Sequence, residues 1–137
     1  MTGETTELTL PSRIETVATA AAAVADFVGR SGISDDAAFG IDMAVREAVT
    51  NAVLHGNRQD DEKVVEISLK SSPDAVEISV HDQGPGFNPE TVPDPTAQEN
   101  ILKTSGRGIF FMRTFMDEVD WTIRPGGGTT VRMVKRR

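Results

Sequence analysis

Cysteine is absent from this 137-residue chain. That removes disulfides, thiolate zinc sites, iron–sulfur clusters and cysteine nucleophiles together, and it fits a reducing compartment. Histidine is nearly absent too, with two residues, so no zinc site is expected. Long apolar runs are missing: the lowest-polarity stretch, the Ala-rich 17–28, falls well short of the roughly 20 residues that span a bilayer. The first ten residues, MTGETTELTL, have neither a basic region nor an apolar run, so they do not read as a signal peptide. A soluble, cytoplasmic protein is the expectation. Basic residues are in the minority, 14 against 21 acidic for a net charge of −7, which argues against nucleic acid and anionic membrane as main partners. Several phosphate-binding signatures are also missing. There is no G-x-x-x-x-G-K-[ST], no G-x-G-x-x-G after a strand, and neither H-R-D nor D-F-G. P-loop, Rossmann and eukaryotic-type kinase chemistry are thereby excluded.

What remains is an ordinary globular composition, 38% hydrophobic and 26% charged, in a length suited to one domain, residues 1–137, with one core. Charge is unevenly spread. Residues 1–60 carry 4 basic and 9 acidic groups, 61–100 carry 2 and 9, and 101–137 carry 8 and 3. The basic last quarter is where an anion would sit.

Alternation of Leu8 and Leu10 with Glu7 and Thr9 predicts a short first strand. The stretch SRIE at 12–15 has the capping-box pattern, so a helix is expected to start there. Its apolar face would be Ile14, Val17, Ala18, Ala21, Val24, Ala25 and Val28, ending at Gly29 or Gly32. Ser34, Asp35 and Asp36 cap a second helix with Ile41, Val45, Ala48, Val49 and Ala52 on its apolar face and Gly56 as its stop. Strands at 64–70 and 75–81, joined by the turn SSPD, predict an antiparallel hairpin. Residues 83–105 form a Pro- and Gly-bearing loop long enough to be functional. A short helix at 109–116 follows, then strands near 119–124 and 129–135. In the first of these, Trp121 alternates with Val119 and Ile123 and reads as core. The order β-α-α-β-β-loop-α-β-β predicts an α+β fold with one mixed sheet and helices on a single face.

Three clusters carry chemistry. Glu47 and Asn51, four residues apart, share one face of the second helix beside the stripe Ala44, Ala48 and Ala52. Glu47 could take a proton there, and Asn51 could offer its amide oxygen to a hard cation such as Mg²⁺. A solvated Glu and a tolerated Asn give the same pattern more often. His55, one turn on, could face the same place or simply sit at the negative end of the helix dipole. His81, ending a strand, reads as structural. The second cluster is DQGPGF at 82–87. Asp82 at a strand end can accept from an amine such as that of adenine, and Gly84 and Gly86 admit a flat ligand close to the backbone. An ordinary turn would use the same residues. The third cluster is SGRGI at 105–109, running into a helix. Glycine-rich backbone at a helix N-terminus offers unpaired N–H groups to phosphate, and Lys103, Arg107 and Arg113 are near in sequence.

The order and spacing of these segments are more specific than any one of them. EAVTNAVLHGN at 47–57, DQGPGF at 82–87, SGRGIFFMR at 105–113 and GGTTVRM at 127–133 resemble the N box and the three glycine boxes of the GHKL ATPase superfamily. Within it the chain looks closest to the RsbW-type anti-sigma-factor serine kinases. The resemblance implies a Bergerat-type two-layer sandwich, with a mostly antiparallel sheet and helices on one face. It implies ATP and Mg²⁺ as ligands. Box by box, Asn51 would hold Mg²⁺ against the ATP phosphates and Glu47 would be the general base. Asp82 would bind the adenine amine, with Gly84 and Gly86 shaping the pocket. Lys103, Ser105, Gly106, Arg107, Gly108 and Ile109 would surround the phosphates. Thr129 would help hold adenine, with the adjacent Thr130 as the alternative, and residues 88–105 would be the lid.

A carboxylate base suits transfer to a serine hydroxyl, whereas phosphorylating a histidine ring needs none. Only residues 1–13 precede the first expected helix, too few for the helical segment that carries a histidine kinase's acceptor. A protein serine kinase acting on a separate partner is the preferred reading. By resemblance it would sequester a sigma factor, phosphorylate an anti-anti-sigma antagonist on serine, and form a homodimer. The alternatives are a kinase of this type, or a nucleotide-gated binding module, in a switch without a sigma factor.

Overall fold

The computed structural model describes residues 4–56, 62–83, 112–123 and 128–136. In chain order these form β1 (Thr5–Pro11), α1 (Thr16–Ser31), α2 (Asp35–Asn51) with a π-helical turn (Ala52–Gly56), β2 (Val64–Ser71), β3 (Ala75–His81), β4 (Glu118–Ile123) and β5 (Thr129–Arg136). The strands make one sheet in the order β1-β2-β3-β5-β4, and every neighbouring pair is antiparallel.

Two rows of side chains cross the whole sheet on the face toward the helices. One runs Leu8, Ile67, Val80, Val131, Trp121 and the other Thr6, Leu69, Ile78, Met133, Val119. Apart from Thr6 on the edge strand β1, period-two alternation puts apolar residues there and Ser68, Ser79, Arg132 and Asp120 on the opposite, open face. Helix α2 lies against β3 and β5, and α1 packs on α2. Small residues at the helix contacts, Ala20, Ala44 and Ala48, are fully buried and let the backbones approach beside Val24, Phe27, Ile41, Val45 and Val49. Each large aliphatic buried in this way contributes about 1.5–3 kcal/mol. Arg132 on the open face bonds to Glu77 and reaches Asp120 at 3.2 Å, and the bond to Glu77 raises its pKa above the usual arginine value. Among the described residues no helix is long and apolar enough to cross a membrane.

The second helix follows its sequence signals. Ser34 Oγ accepts from the Ala37 amide at 3.2 Å, Asp35 and Asp36 occupy the first turn, and all five expected apolar positions are buried. The first helix does not. It begins at Thr16, and Glu15 at its N-cap makes no side-chain capping bond. The Ser12 amide is drawn to the Lys63 carbonyl at 3.3 Å, which buries the side chain with its hydroxyl unpartnered. Thr16 Oγ1 instead bonds the Pro11 carbonyl at 2.6 Å. Consequently Ile14 precedes the helix and is exposed, Ala18 and Ala25 face solvent, and Ala20 and Phe27 complete the buried stripe. Gly32, with φ 71°, ends the helix. Trp121 also departs from expectation. It lies on the helix-side face, but β4 is an edge strand, so the indole keeps 36% exposure and the Arg113 guanidinium covers one side at 5.6 Å from the ring centre.

Candidate active site

The site begins where β3 ends and β5 starts. His81 pairs with Thr130 in the sheet, and the ladder continues one residue further through side chain as well as backbone. The Asp82 amide donates to the Thr129 carbonyl at 2.9 Å, and the Thr129 amide donates to Asp82 Oδ1 at 3.2 Å. The carboxylate-bearing residue is only 7% exposed. Taking a carboxylate out of water is costly unless N–H groups replace the solvent, and the Thr129 amide supplies one.

Alternation along β5 separates the two threonines. Thr130 Oγ1 shares a hydrogen bond with His81 Nδ1 at 2.9 Å, on the open face. Thr129 shares the helix-side face with Val131. Gly128 precedes them with φ 95°, a conformation that favours glycine. A Cβ there would stand 2.4 Å from the Asp82 carbonyl oxygen and 2.8 Å from His81 Cε1. Gln83 Oε1 accepts from the Val64 amide at 2.9 Å, tying the segment after Asp82 to the start of β2.

On α2, Glu47 and Asn51 are both half-buried at the border of the packed stripe Ala44, Ala48 and Val49. Asn51 is the last α-helical residue, and the Ala52–Gly56 π-helical turn, which includes His55, follows directly. Such turns displace a helix's side-chain register and recur at functional sites. Asn51 offers an amide oxygen, a hard donor of the kind Mg²⁺ accepts while keeping waters and phosphate oxygens. Among the described residues no group of three or more His, Asp or Glu is placed to hold a metal.

Of the sequence candidates, Asp82 and Thr129 are joined by direct hydrogen bonds, and Glu47 and Asn51 by one helical turn. Gly84, Gly86, Lys103, Ser105, Gly106, Arg107, Gly108 and Ile109, with the lid 88–105, lie outside the described residues. Beyond them, a helical turn at 112–115 is closed by the Met116 amide bonding the Met112 carbonyl at 2.9 Å. It seats Phe115 against Gly40 and edge-on to Phe39, with ring centres 5.9 Å apart. Three residues at the site were not singled out by the sequence: His81, which reads as structural, and Gln83 and Gly128, which lie inside the motifs DQGPGF and GGTTVRM without an individual role there. Only the run of glycines before Thr129 hints at a backbone requirement.

The histidine kinase-like ATPase domain profile matches residues 10–135. This chain belongs to that family. It is 35% identical over 127 residues to an anti-sigma F factor of Clostridium beijerinckii, covering 91% of this chain and 89% of that protein. It is 32% identical over 136 residues to the serine-protein kinase RsbW of Staphylococcus epidermidis, covering 94% and 84%. Within the family the chain belongs with these anti-sigma and serine kinase proteins. Solved structures show the same fold. The RsbU and RsbW domains of a Mycobacterium tuberculosis protein superpose with TM-score 0.71 at 21% identity, over 97% of this chain and 32% of that longer one. The SiaB–SiaC complex of Pseudomonas aeruginosa gives 0.70 at 10% identity, over 94% and 88%.

Proposed function

We propose that this chain is a single-domain, ATP-dependent protein serine kinase that acts as an anti-sigma factor. It binds Mg²⁺-ATP, sequesters a sigma factor, and phosphorylates an anti-anti-sigma antagonist on serine, working as a homodimer in the cytoplasm. The observation that carries the nucleotide reading is the buried Asp82 carboxylate, anchored by the Thr129 amide at 3.2 Å. A buried acceptor at a strand end suits the exocyclic amine of adenine. Thr129, on the same face of the sheet as Val131, is the threonine assigned to the base.

Asp82 fixes the base and Asn51 holds Mg²⁺. Bound Mg²⁺ supplies charge neutralisation at the phosphates. Glu47 takes the proton of the incoming serine hydroxyl as its oxygen bonds to the γ-phosphorus of ATP, the bond from that phosphorus to the β–γ bridging oxygen breaks, and ADP leaves with that oxygen. Gly84, Gly86 and the segment Lys103 to Ile109 complete the pocket around base and phosphates. The relatives named anti-sigma F factor and serine-protein kinase support the partner assignment.

The test is affinity capture from the native cytosol with and without Mg²⁺-ATP, followed by phosphosite mapping. Joint recovery of a sigma factor and a phosphoserine-bearing antagonist is expected. A phosphorylated partner with no sigma factor would replace this reading with a serine kinase of another regulatory switch.

A further inference from the structure

We infer that His81 is a positioning residue for adenine recognition, acting through Thr130 and the Gly128 backbone to hold Asp82 at its working angle. The inference rests on the assignment of Asp82 to the adenine amine.

His81 is the last residue of β3 and Asp82 the next, so the two side chains leave the strand end on opposite faces. The histidine is on the open face yet only 8% exposed. Its ring makes two contacts, one with β5 and one with the residue that precedes it. Nδ1 shares a hydrogen bond with Thr130 Oγ1 at 2.9 Å. The Cε1–Nε2 edge lies so close to Gly128 that a Cβ there would stand 2.8 Å and 3.3 Å from the two atoms. On the other side of the same two chain segments, Asp82 and Thr129 exchange their own bonds at 2.9 and 3.2 Å. The terminal rungs of the β3–β5 ladder are thus fastened on both faces. Strand ends fray when nothing beyond the last backbone pair holds them. Here the imidazole supplies the second fastening, and the residue it steadies carries the carboxylate. An acceptor that must meet one amine needs a fixed direction, because hydrogen bonds weaken steeply off line.

The experiment compares two nucleotides, ATP and purine riboside triphosphate, which lacks the exocyclic amine, in direct binding measurements. Asp82→Asn is the reference and should weaken ATP while leaving the amine-free nucleotide nearly unchanged. His81→Leu keeps apolar volume but removes the bond, and should weaken ATP about three- to tenfold, as loss of one buried hydrogen bond does, again sparing the amine-free nucleotide. Thr130→Val should match it, and the double variant should be no worse than either single, because both remove the same bond. His81→Asn, whose amide reaches the position of Nδ1, should restore ATP binding. Equal weakening of both nucleotides by His81→Leu, no weakening at all, or additive losses in the double variant would each overturn the role of His81 while Asp82→Asn still discriminates. If Asp82→Asn itself fails to discriminate, the adenine pocket is misassigned and the inference falls with it.

Discussion

The carbonyl oxygen of Asp82 lies where a side chain on Gly128 would have to go: a Cβ at Gly128 would approach it to 2.4 Å. Gly128 also has φ 95°, so an alanine there meets both backbone strain and a backbone clash. Gly128→Ala should lower stability by about 1–3 kcal/mol and displace Asp82, with ATP affinity falling in parallel. Gly29 provides the contrast, since it sits exposed inside α1 and a Cβ added there would meet nothing within 4 Å. Gly29→Ala should stabilise by about 0.5–1 kcal/mol through helix propensity. Thermal unfolding of the two variants, with calorimetric ATP titration of the first, reads both effects. A Gly128→Ala protein with parental affinity would dissociate the glycine from the nucleotide site.

Glu47 and Asn51 sit one turn apart on α2 but are assigned different work, and the two variants should separate it. Asn51→Ala should abolish Mg²⁺-ATP binding, because the cation loses its protein oxygen. Glu47→Ala should retain nucleotide and lose phosphotransfer, since a base acts in the chemical step. A loss of about a hundredfold or more in rate is the scale of general-base removal. Nucleotide affinity and single-turnover transfer to the antagonist are the measurements. Full activity in Glu47→Ala would end its assignment as base.

Ser12 and Ser34 both stand where a helix cap is expected, and only one caps. Ser34→Ala should cost about 0.5–2 kcal/mol, the usual worth of an N-cap. Ser12 Oγ is buried without a partner, so Ser12→Ala removes a desolvated hydroxyl and should be neutral or stabilising. Denaturant titration of the pair checks both. A loss from Ser12→Ala as large as that from Ser34→Ala would mean that the Ser12 hydroxyl is satisfied in solution.

This contrast also marks how far the sequence could be read. The alternation in β3 located Ala75–His81 at the residues observed, and the stripe on α2 identified its buried face, because both are local periodicities. The SRIE pattern failed since a bond to Lys63, 51 positions away, decides where Ser12 goes. Pairing of β3 with β5 was likewise illegible, and with it which of Thr129 and Thr130 shares the face of Asp82. Asp82 stood out by residue type and strand-end position, whereas its partners on β5 became visible only through register. Gly128 could not be told from its two glycine neighbours until its φ and its contacts were known.

Trp121 is the chain's single tryptophan, which makes its environment directly measurable. An edge strand leaves one flank of the indole uncovered, with 36% exposure, and Arg113 stacks at 5.6 Å from the ring centre. The emission should therefore be that of a partly hydrated indole and quench readily with acrylamide. Arg113→Ala removes the covering guanidinium. It should shift the emission further to the red and raise the quenching constant, while costing at most about 1 kcal/mol of stability, the scale of a partly exposed cation–π contact. A blue-shifted, unquenchable emission in the parent would place Trp121 back in the core and contradict its position at the sheet edge. Because Arg113 follows directly on Met112, whose side chain is buried in the core, the indole also reports on the helical turn that connects the proposed phosphate segment to the sheet. Its fluorescence should thus change when Mg²⁺-ATP is added, and that change should vanish in Asn51→Ala.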